Sequence, residues 1–214
     1  MHPKLKESGA IELEVKMKKI GVILLAACML LFNNISVNAA SGNSYDDVNK
    51  IYTEDMFKQS ELGYYVYFYR ENCPDCNLIK DQILEFSSDN PVYFVDYNLS
   101  ENKVQSYDWN ALRSKYNNKI GYLDENEEIV FLPGESKEKY QNQINQYGKR
   151  VTYSFLIMGN DVYANIMTPE IDYVNITRVN DMVIAGVPTL FYIENNRIKE
   201  FYFDSYEILE LINN

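Results

Sequence analysis

The segment between Tyr64 and Asp96 constrains the fold most, because it sets a pair of cysteines inside a strand–helix–strand pattern. The apolar run Tyr64–Tyr69 predicts a buried strand, and Cys73-Pro74-Asp75-Cys76 follows it. Apolar residues recur at helical spacing within Asn77–Phe86, and Val92–Asp96 predicts a second buried strand. Such a unit crosses over right-handedly between parallel strands. The two cysteines are therefore expected at the carboxyl end of the first strand.

Two thiols separated by two residues at the start of a helix can form a reversible disulfide. The first N–H groups of the helix stabilise a thiolate on the first cysteine, which predicts that Cys73 attacks and that Cys76 resolves. Arg70, Glu71 and Asp75 are candidate modulators, since the two acids disfavour a neighbouring thiolate and the arginine favours it. A structural disulfide or an unreactive pair is the alternative.

A metal site at the dithiol would need two further ligands. The only histidine of the chain, His2, lies in the N-terminal leader, so those ligands could only be carboxylates. We therefore predict neither a metal nor another cofactor. The lack of a histidine beyond the leader also excludes Cys-His and Ser-His-Asp catalysis.

Residues 1–40 are expected to be a leader and signal peptide rather than part of the folded domain. Met17 begins a basic stretch that precedes the apolar run Ile20–Phe32, and small residues around Ala39 fit cleavage before Ala40 or Ser41. Translation is expected to start at Met17. Two alternatives stay open: lipidation of Cys28, which follows a lipobox-like Leu-Ala-Ala, and retention of the segment as a membrane anchor.

The net charge of the whole chain is −11. The first 40 residues hold five Lys and three Glu, so their removal leaves a domain of charge −13. Such a domain repels nucleic acid and anionic membrane surfaces, and we predict no nucleic-acid partner.

The remaining pattern predicts one α/β domain over residues 41–214. After a polar linker, 41–47, we expect a short strand at Val48–Thr53 and a capped helix at Thr53–Phe57. Near the end, Thr189–Ile193 and Ile198–Phe203 predict a hairpin turning at Asn195-Asn196, and Ser205 is the expected cap of a last helix.

Residues 99–180 are too apolar to be a loop and are expected to fold as an α+β insertion subdomain. Within it the pattern predicts two helices, two strands and one hairpin: Asp108–Tyr116, Lys137–Tyr147, Val151–Met158, Asp161–Ile166 and the hairpin around Leu123–Leu132.

This order of elements, with Cys73-Pro74-Asp75-Cys76 and Val187-Pro188-Thr189-Leu190, resembles the thioredoxin family over residues 48–98 and 181–214. It is most similar to small exported thioredoxin-like proteins of bacteria, including bacteriocin-export accessory proteins. The resemblance implies a central mixed sheet flanked by helices, interrupted by the insertion before the proline-bearing strand. It also implies a cis Pro188 beside the dithiol, with Val187 positioning an extended substrate. The family's buried aspartate and its lysine partner are here Tyr67 and Phe94, so another route must deprotonate Cys76.

These features together predict an exported thiol-disulfide oxidoreductase that exchanges disulfides with extracytoplasmic proteins or peptides. It would need a redox partner that resets the dithiol, and membrane attachment through the N-terminal segment stays open. The alternative is a non-catalytic binding or accessory protein for peptide export or a surface partner, in which Cys73 and Cys76 form a structural disulfide.

Overall fold

The computed structural model describes residues 44–141 and 143–214. The expected signal peptide, the start at Met17, the lipidation site at Cys28 and the anchor lie outside the described residues. In the described part of the chain, no helix is both long enough and apolar enough to cross a bilayer.

A four-stranded mixed sheet forms the centre of the α/β domain. Its strands are β1 (Gly63–Tyr69), β2 (Val92–Asp96), β11 (Thr189–Glu194) and β12 (Arg197–Phe203), in the order β12-β11-β1-β2. β1 runs parallel to β2 and antiparallel to β11. The two buried strands and the C-terminal hairpin predicted from the sequence are confirmed. Asn195 and Asn196 turn the hairpin with φ of 51° and 57°, a conformation that asparagine tolerates.

The crossover from β1 to β2 contains two helices, where the sequence predicted one. α1 spans Pro74–Leu78 and α2 spans Lys80–Asp89. Ile79 separates them with φ −110° and ψ 9°, outside the helical region. The apolar residues predicted to face the core are still buried despite this interruption, since Ile79 and Ile83 are fully buried.

The alternation of side chains along β1 divides the core into two layers. Tyr67 and Tyr69 face α1, α2 and the last helix, α4 (Asp204–Ile212), whose Ile208 is buried in the same cluster. Val66 and Phe68 face the opposite layer, which is formed largely by loops and 3-10 turns. Short 3-10 helices are Tyr45–Asp47, Thr53–Asp55, Ser100–Asn102, Glu138–Tyr140, Tyr173–Asn175 and Val179–Asp181.

Segment 99–180 contains a second, antiparallel sheet with its own small core. Its strands are β4 (Lys119–Leu123), β5 (Ile129–Phe131), β8 (Tyr153–Met158) and β9 (Asp161–Ile166), in the order β5-β4-β9-β8. α3 (Trp109–Tyr116) packs beside it through Leu112. Within the segment, β6 (Gln143–Ile144) pairs with β7 (Arg150–Val151). β3 (Gln105–Ser106) pairs with β10 (Val183–Ile184), which lies just after the segment.

Several local predictions were wrong. The polar helix expected at Lys137–Tyr147 is instead a 3-10 turn followed by β6, because Gly148, at φ 75°, closes a tight turn back to β7. The strand expected at Val48–Thr53 reduces to a single bridge between Lys50 and Phe94. The helix expected at Thr53–Phe57 is a 3-10 turn.

The cap of α4 and the linker also differ from expectation. Asp204, not Ser205, caps α4, since its Oδ1 accepts from the backbone N–H of Tyr206 at 2.8 Å and of Glu207 at 3.1 Å. The segment expected to be a polar linker contains Tyr45, which is 2% exposed. A polar stretch of sequence can contain one aromatic residue that is buried in the core, and its burial becomes known only from the tertiary structure.

Candidate functional site

Cys73 lies at the N-terminus of α1, immediately after β1. Its backbone is extended, Pro74 occupies the first helical position, and its Sγ accepts from the backbone N–H of Cys76 at 3.2 Å. Proline suits this position because its missing N–H would have no partner inside the helix. The cysteine thus takes the place of an N-cap residue. Its sulfur is half-buried and receives the hydrogen bond that would stabilise a thiolate.

Cys76 lies one turn further on and is fully buried. Burial raises the pKa of the Cys76 thiol to about 12, and the neighbouring Cys73 and Asp75 raise it too, while the backbone amide of Arg70 lowers it. Cys76 is therefore a neutral thiol at physiological pH. The two cysteines are unbridged and differ in access, so the one that solvent or substrate can reach is Cys73.

The loop before β11 brings a third group to the dithiol. The Val187–Pro188 peptide bond is cis, and the carbonyl oxygen of Val187 lies 3.4 Å from Cys73 Sγ, although the two residues are 114 positions apart. Pro188 itself is buried. The site therefore joins the β1–α1 junction to the start of β11.

Hydrogen bonds hold this loop at three points. Trp109 Nε1 donates to the carbonyl oxygen of Ala185 at 2.7 Å, and Thr189 Oγ1 donates to that of Gly186 at 2.9 Å. The backbone N–H of Asp204 donates to the carbonyl oxygen of Pro188 at 3.1 Å. Segment 99–180 and α4 thus both contribute to positioning the loop beside Cys73.

The three candidate modulators lie at different places around the dithiol. Glu71 and Asp75 are exposed, and Asp75 raises the pKa of both Cys76 and Asp204 in addition to the larger effect of burial. The guanidinium of Arg70 lies 5.2 Å from the ring centroid of Tyr97. The contacts of Arg70 with the two cysteines come from its backbone, whose oxygen accepts from Cys73 N at 3.3 Å.

Sequence reasoning missed three residues of the site. Tyr45 donates from its hydroxyl to the carbonyl oxygen of Cys76 at 3.3 Å, and burial raises its pKa to about 12. Trp109 and Asp204 were not singled out either. A lone aromatic residue in a polar stretch was the available signal for Tyr45; for Trp109 it was that the chain contains one tryptophan.

Tyr67 and Phe94 are buried and adjacent on the side of the sheet that carries Cys76. They are register partners on β1 and β2, with ring centroids 5.6 Å apart in an edge-on arrangement. Neither side chain carries a charge at neutral pH. In the described part of the chain, no cluster of three or more His, Cys, Asp or Glu side chains could hold a metal ion.

Comparison with known proteins gives little beyond this geometry. No protein-family model matches the chain, and no curated protein matches it. A solved structure that does match is thioredoxin f2 of Chlamydomonas reinhardtii, with 11% sequence identity and a TM-score of 0.33. The match covers 78% of this chain and 94% of that chain. A likeness of this size does not establish a family.

Proposed function

We propose that this protein is a thiol-disulfide oxidoreductase with a thioredoxin-like fold and that Cys73 and Cys76 are its redox pair. The observation that carries the proposal is the arrangement at the end of β1. A half-buried Cys73 caps a helix and lies 3.4 Å from the Val187 carbonyl, while its partner thiol is buried one turn away. An accessible sulfur backed by a shielded one is what stepwise disulfide exchange needs.

In the reducing direction the Cys73 thiolate attacks one sulfur of a substrate disulfide. A bond forms between Cys73 and that sulfur, and the other substrate sulfur leaves as a thiolate. Cys76 then attacks Cys73 Sγ, which forms the Cys73–Cys76 disulfide and releases the second substrate thiol. The steps reverse for oxidation, and a separate redox partner resets the pair.

Val187 and Pro188 are proposed to position the substrate. The Val187 carbonyl is close enough to Cys73 Sγ that a peptide chain flanking a substrate cysteine would pass along this loop. Extended peptides can bind by pairing with backbone groups that are not used inside a sheet. Hydrogen bonds from Trp109 Nε1 and from the backbone N–H of Asp204 hold the loop in this position.

We propose that the protein is exported, and the N-terminal leader sequence is the one basis for this proposal. The substrates would then be disulfides or thiols of extracytoplasmic proteins and peptides, and disulfide chemistry is common in that compartment. N-terminal sequencing of the protein from culture medium and from membranes tests this point. A mature chain beginning near Ala40 supports export, a lipidated Cys28 supports anchoring, and a cytosolic protein beginning at Met17 contradicts both.

Two cysteine variants and one titration test the enzymatic proposal. Cys73→Ser should abolish turnover of a peptide disulfide, whereas Cys76→Ser should accumulate a mixed disulfide on Cys73 that is visible by mass spectrometry. Titration of the wild-type pair in dithiothreitol buffers should give a reversible two-electron transition, and its midpoint assigns the direction of exchange. A pair that stays oxidised in strong reductant, or turnover that survives Cys73→Ser, would refute the enzyme and favour a structural brace.

A further inference from the structure

The buried side of Cys76 is lined by aromatic residues. Cys76, Tyr45, Tyr67 and Phe94 belong to one buried cluster on the α1 side of the central sheet. The ring centroid of Tyr67 lies 6.5 Å from that of Tyr45 and 5.6 Å from that of Phe94. A thiolate on Cys76 would therefore form in a largely apolar surrounding, where an unstabilised charge is costly.

The hydroxyl of Tyr67 is the exception in this apolar surrounding. The residue is fully buried, and its hydroxyl makes no hydrogen bond of normal geometry within the described residues. Its polar neighbour is the Tyr45 hydroxyl, a weak contact in which Tyr67 is the donor, since the contact raises the pKa of Tyr67 and lowers that of Tyr45. The neighbouring Tyr45 hydroxyl donates instead to the Cys76 carbonyl. Buried hydroxyls nearly always have a well-placed acceptor, so a buried hydroxyl with only this weak contact is available to a stronger acceptor such as a thiolate.

Tyr69 provides a comparison inside the same strand. Its ring stacks on that of Tyr67 at 6.0 Å and 4°, and its hydroxyl is likewise buried without a hydrogen bond of normal geometry. The two hydroxyls differ in their charged neighbours. Burial raises the pKa of both, and Tyr45 contributes to both. The contributions that differ come from Cys76 and Cys73 at Tyr67, and from Asp96, Glu71 and Asp46 at Tyr69.

We propose that the Tyr67 hydroxyl donates the hydrogen bond that stabilises the Cys76 thiolate during disulfide exchange. This inference rests on the proposed function. When a substrate thiolate attacks Cys73 of the Cys73–Cys76 disulfide, a substrate–Cys73 bond forms and the Cys73–Cys76 bond breaks. The electron pair of the broken bond stays on Cys76 Sγ, and Tyr67 donates to it.

In the opposite direction Cys76 loses its proton before it attacks the mixed disulfide. The proton passes to solvent and ends on the substrate thiol that is released, so the step is balanced without another reactant. Tyr67 stays neutral throughout because its pKa is raised, and it acts as a donor rather than as a base.

The backbone amide of Arg70 already donates to Cys76, and the other neighbouring groups do not offer a second donor. Cys73 and Asp75 on its own turn oppose a negative charge, and the backbone amide of Arg70 favours it. The ammonium of Lys80 lies 5.0 Å from the ring centroid of Tyr45. Among these neighbours and Tyr45, only Tyr67 has a side-chain O–H free to turn toward the thiolate.

The test is single-turnover kinetics with an aromatic disulfide reagent that releases a coloured thiolate at each step. Reduced wild-type protein should show two phases, attack by Cys73 and then resolution by Cys76. Tyr67→Phe should shift the pH midpoint of the second phase upward by about 1–2 units, which is what one hydrogen bond to a charged group represents. It should slow that phase about three- to fifteenfold at pH 7, because a thiolate of higher pKa is scarcer but also more nucleophilic. Tyr69→Phe, the matched control, should change neither phase.

The outcomes separate this inference from the proposed function. If wild-type protein gives no second phase, the oxidoreductase proposal fails. If it gives two phases and Tyr67→Phe leaves the second phase and its pH midpoint as in Tyr69→Phe, only the role of Tyr67 is overturned. The unchanged first phase reports that the variant is folded.

A second measurement leaves the tyrosines unchanged. In Cys73→Ser protein labelled at the tyrosine ζ-carbon, where Cys76 has no disulfide to attack, one buried tyrosine signal should shift as Cys76 titrates. A set of ζ-carbon signals that stays flat through that titration would also overturn the proposal.

Discussion

Trp109 connects segment 99–180 to the loop that carries Val187, and replacing it tests whether this connection matters for exchange. Its Nε1 donates to the Ala185 carbonyl at 2.7 Å, and its ring contacts Phe203 at a centroid distance of 6.0 Å. Trp109→Phe removes that hydrogen bond and leaves the carbonyl without it. The substitution should lower the free energy of unfolding by about 1–3 kcal/mol.

Tyr107→Phe is the matched control. The Tyr107 hydroxyl accepts from the backbone N–H of Glu170 at 3.0 Å, and its ring meets Trp109 edge-on at 5.1 Å. This variant also loses one partly buried hydrogen bond, so its stability should fall by about 0.5–2 kcal/mol. It leaves the bond between Trp109 and Ala185 in place.

The two variants should differ in function rather than in stability. If the loop positions the substrate, loosening it by about 1 kcal/mol should reduce the rate of attack on a peptide disulfide roughly fivefold in Trp109→Phe alone. Unfolding is followed by circular dichroism in urea, because Trp109 is the one tryptophan and its fluorescence is lost in the variant. Equal peptide kinetics in the two variants would refute the positioning role of Trp109.

Three further predictions follow from single features. Gly121→Ala should lower the free energy of unfolding by about 1–3 kcal/mol, because the new Cβ would lie 2.5 Å from the backbone oxygen of Val130. Gly63→Ala should lower it less in the same urea titration, because its Cβ meets only side-chain atoms of Tyr192. Burial raises the pKa of Asp204, so its ionisation lowers the free energy of unfolding as pH rises from the ordinary carboxyl pKa through the raised one. Asp204→Asn still caps α4 and should flatten that decline in unfolding curves at successive pH values. An unaltered slope would contradict this prediction. Finally, the acidic domain should react faster with a basic peptide disulfide than with an acidic one, and added salt should reduce the difference; a salt-independent ratio would count against electrostatic steering.

The elements that sequence predicted well depend on local rules. Strand periodicity located β1 and β2, and two asparagines that tolerate positive φ located the C-terminal hairpin. Each of these signals depends on residues that are neighbours in sequence, so it holds however the rest of the chain folds. Where propensity was weak, as in Lys137–Tyr147, a turn decided the outcome against a helix: Asn145 Oδ1 accepts from the backbone N–H groups of Tyr147 and Lys149, and Gly148 has positive φ.

The reactive pair was visible in the sequence, but its environment was not. The pattern placed Cys73 and Cys76 between a strand and a helix, and the expected position of Cys73 at the start of that helix favoured it as the attacking thiol. The roles of Tyr45 and Trp109 could not be found in the same way. Each acts across many residues of chain, and neither lies in a recognisable motif.

The amino-acid sequence by itself determined the strands on either side of the dithiol, the hairpin turn and the acidic charge of the domain, because each depends on residue type and short-range spacing. Tertiary structure alone decided that Cys76 is buried, that the Val187 carbonyl lies beside Cys73 Sγ, and that the Tyr67 hydroxyl makes no hydrogen bond of normal geometry within the described residues. The physical reason is that solvation of a thiol and the approach of groups 114 residues apart are properties of the packed core.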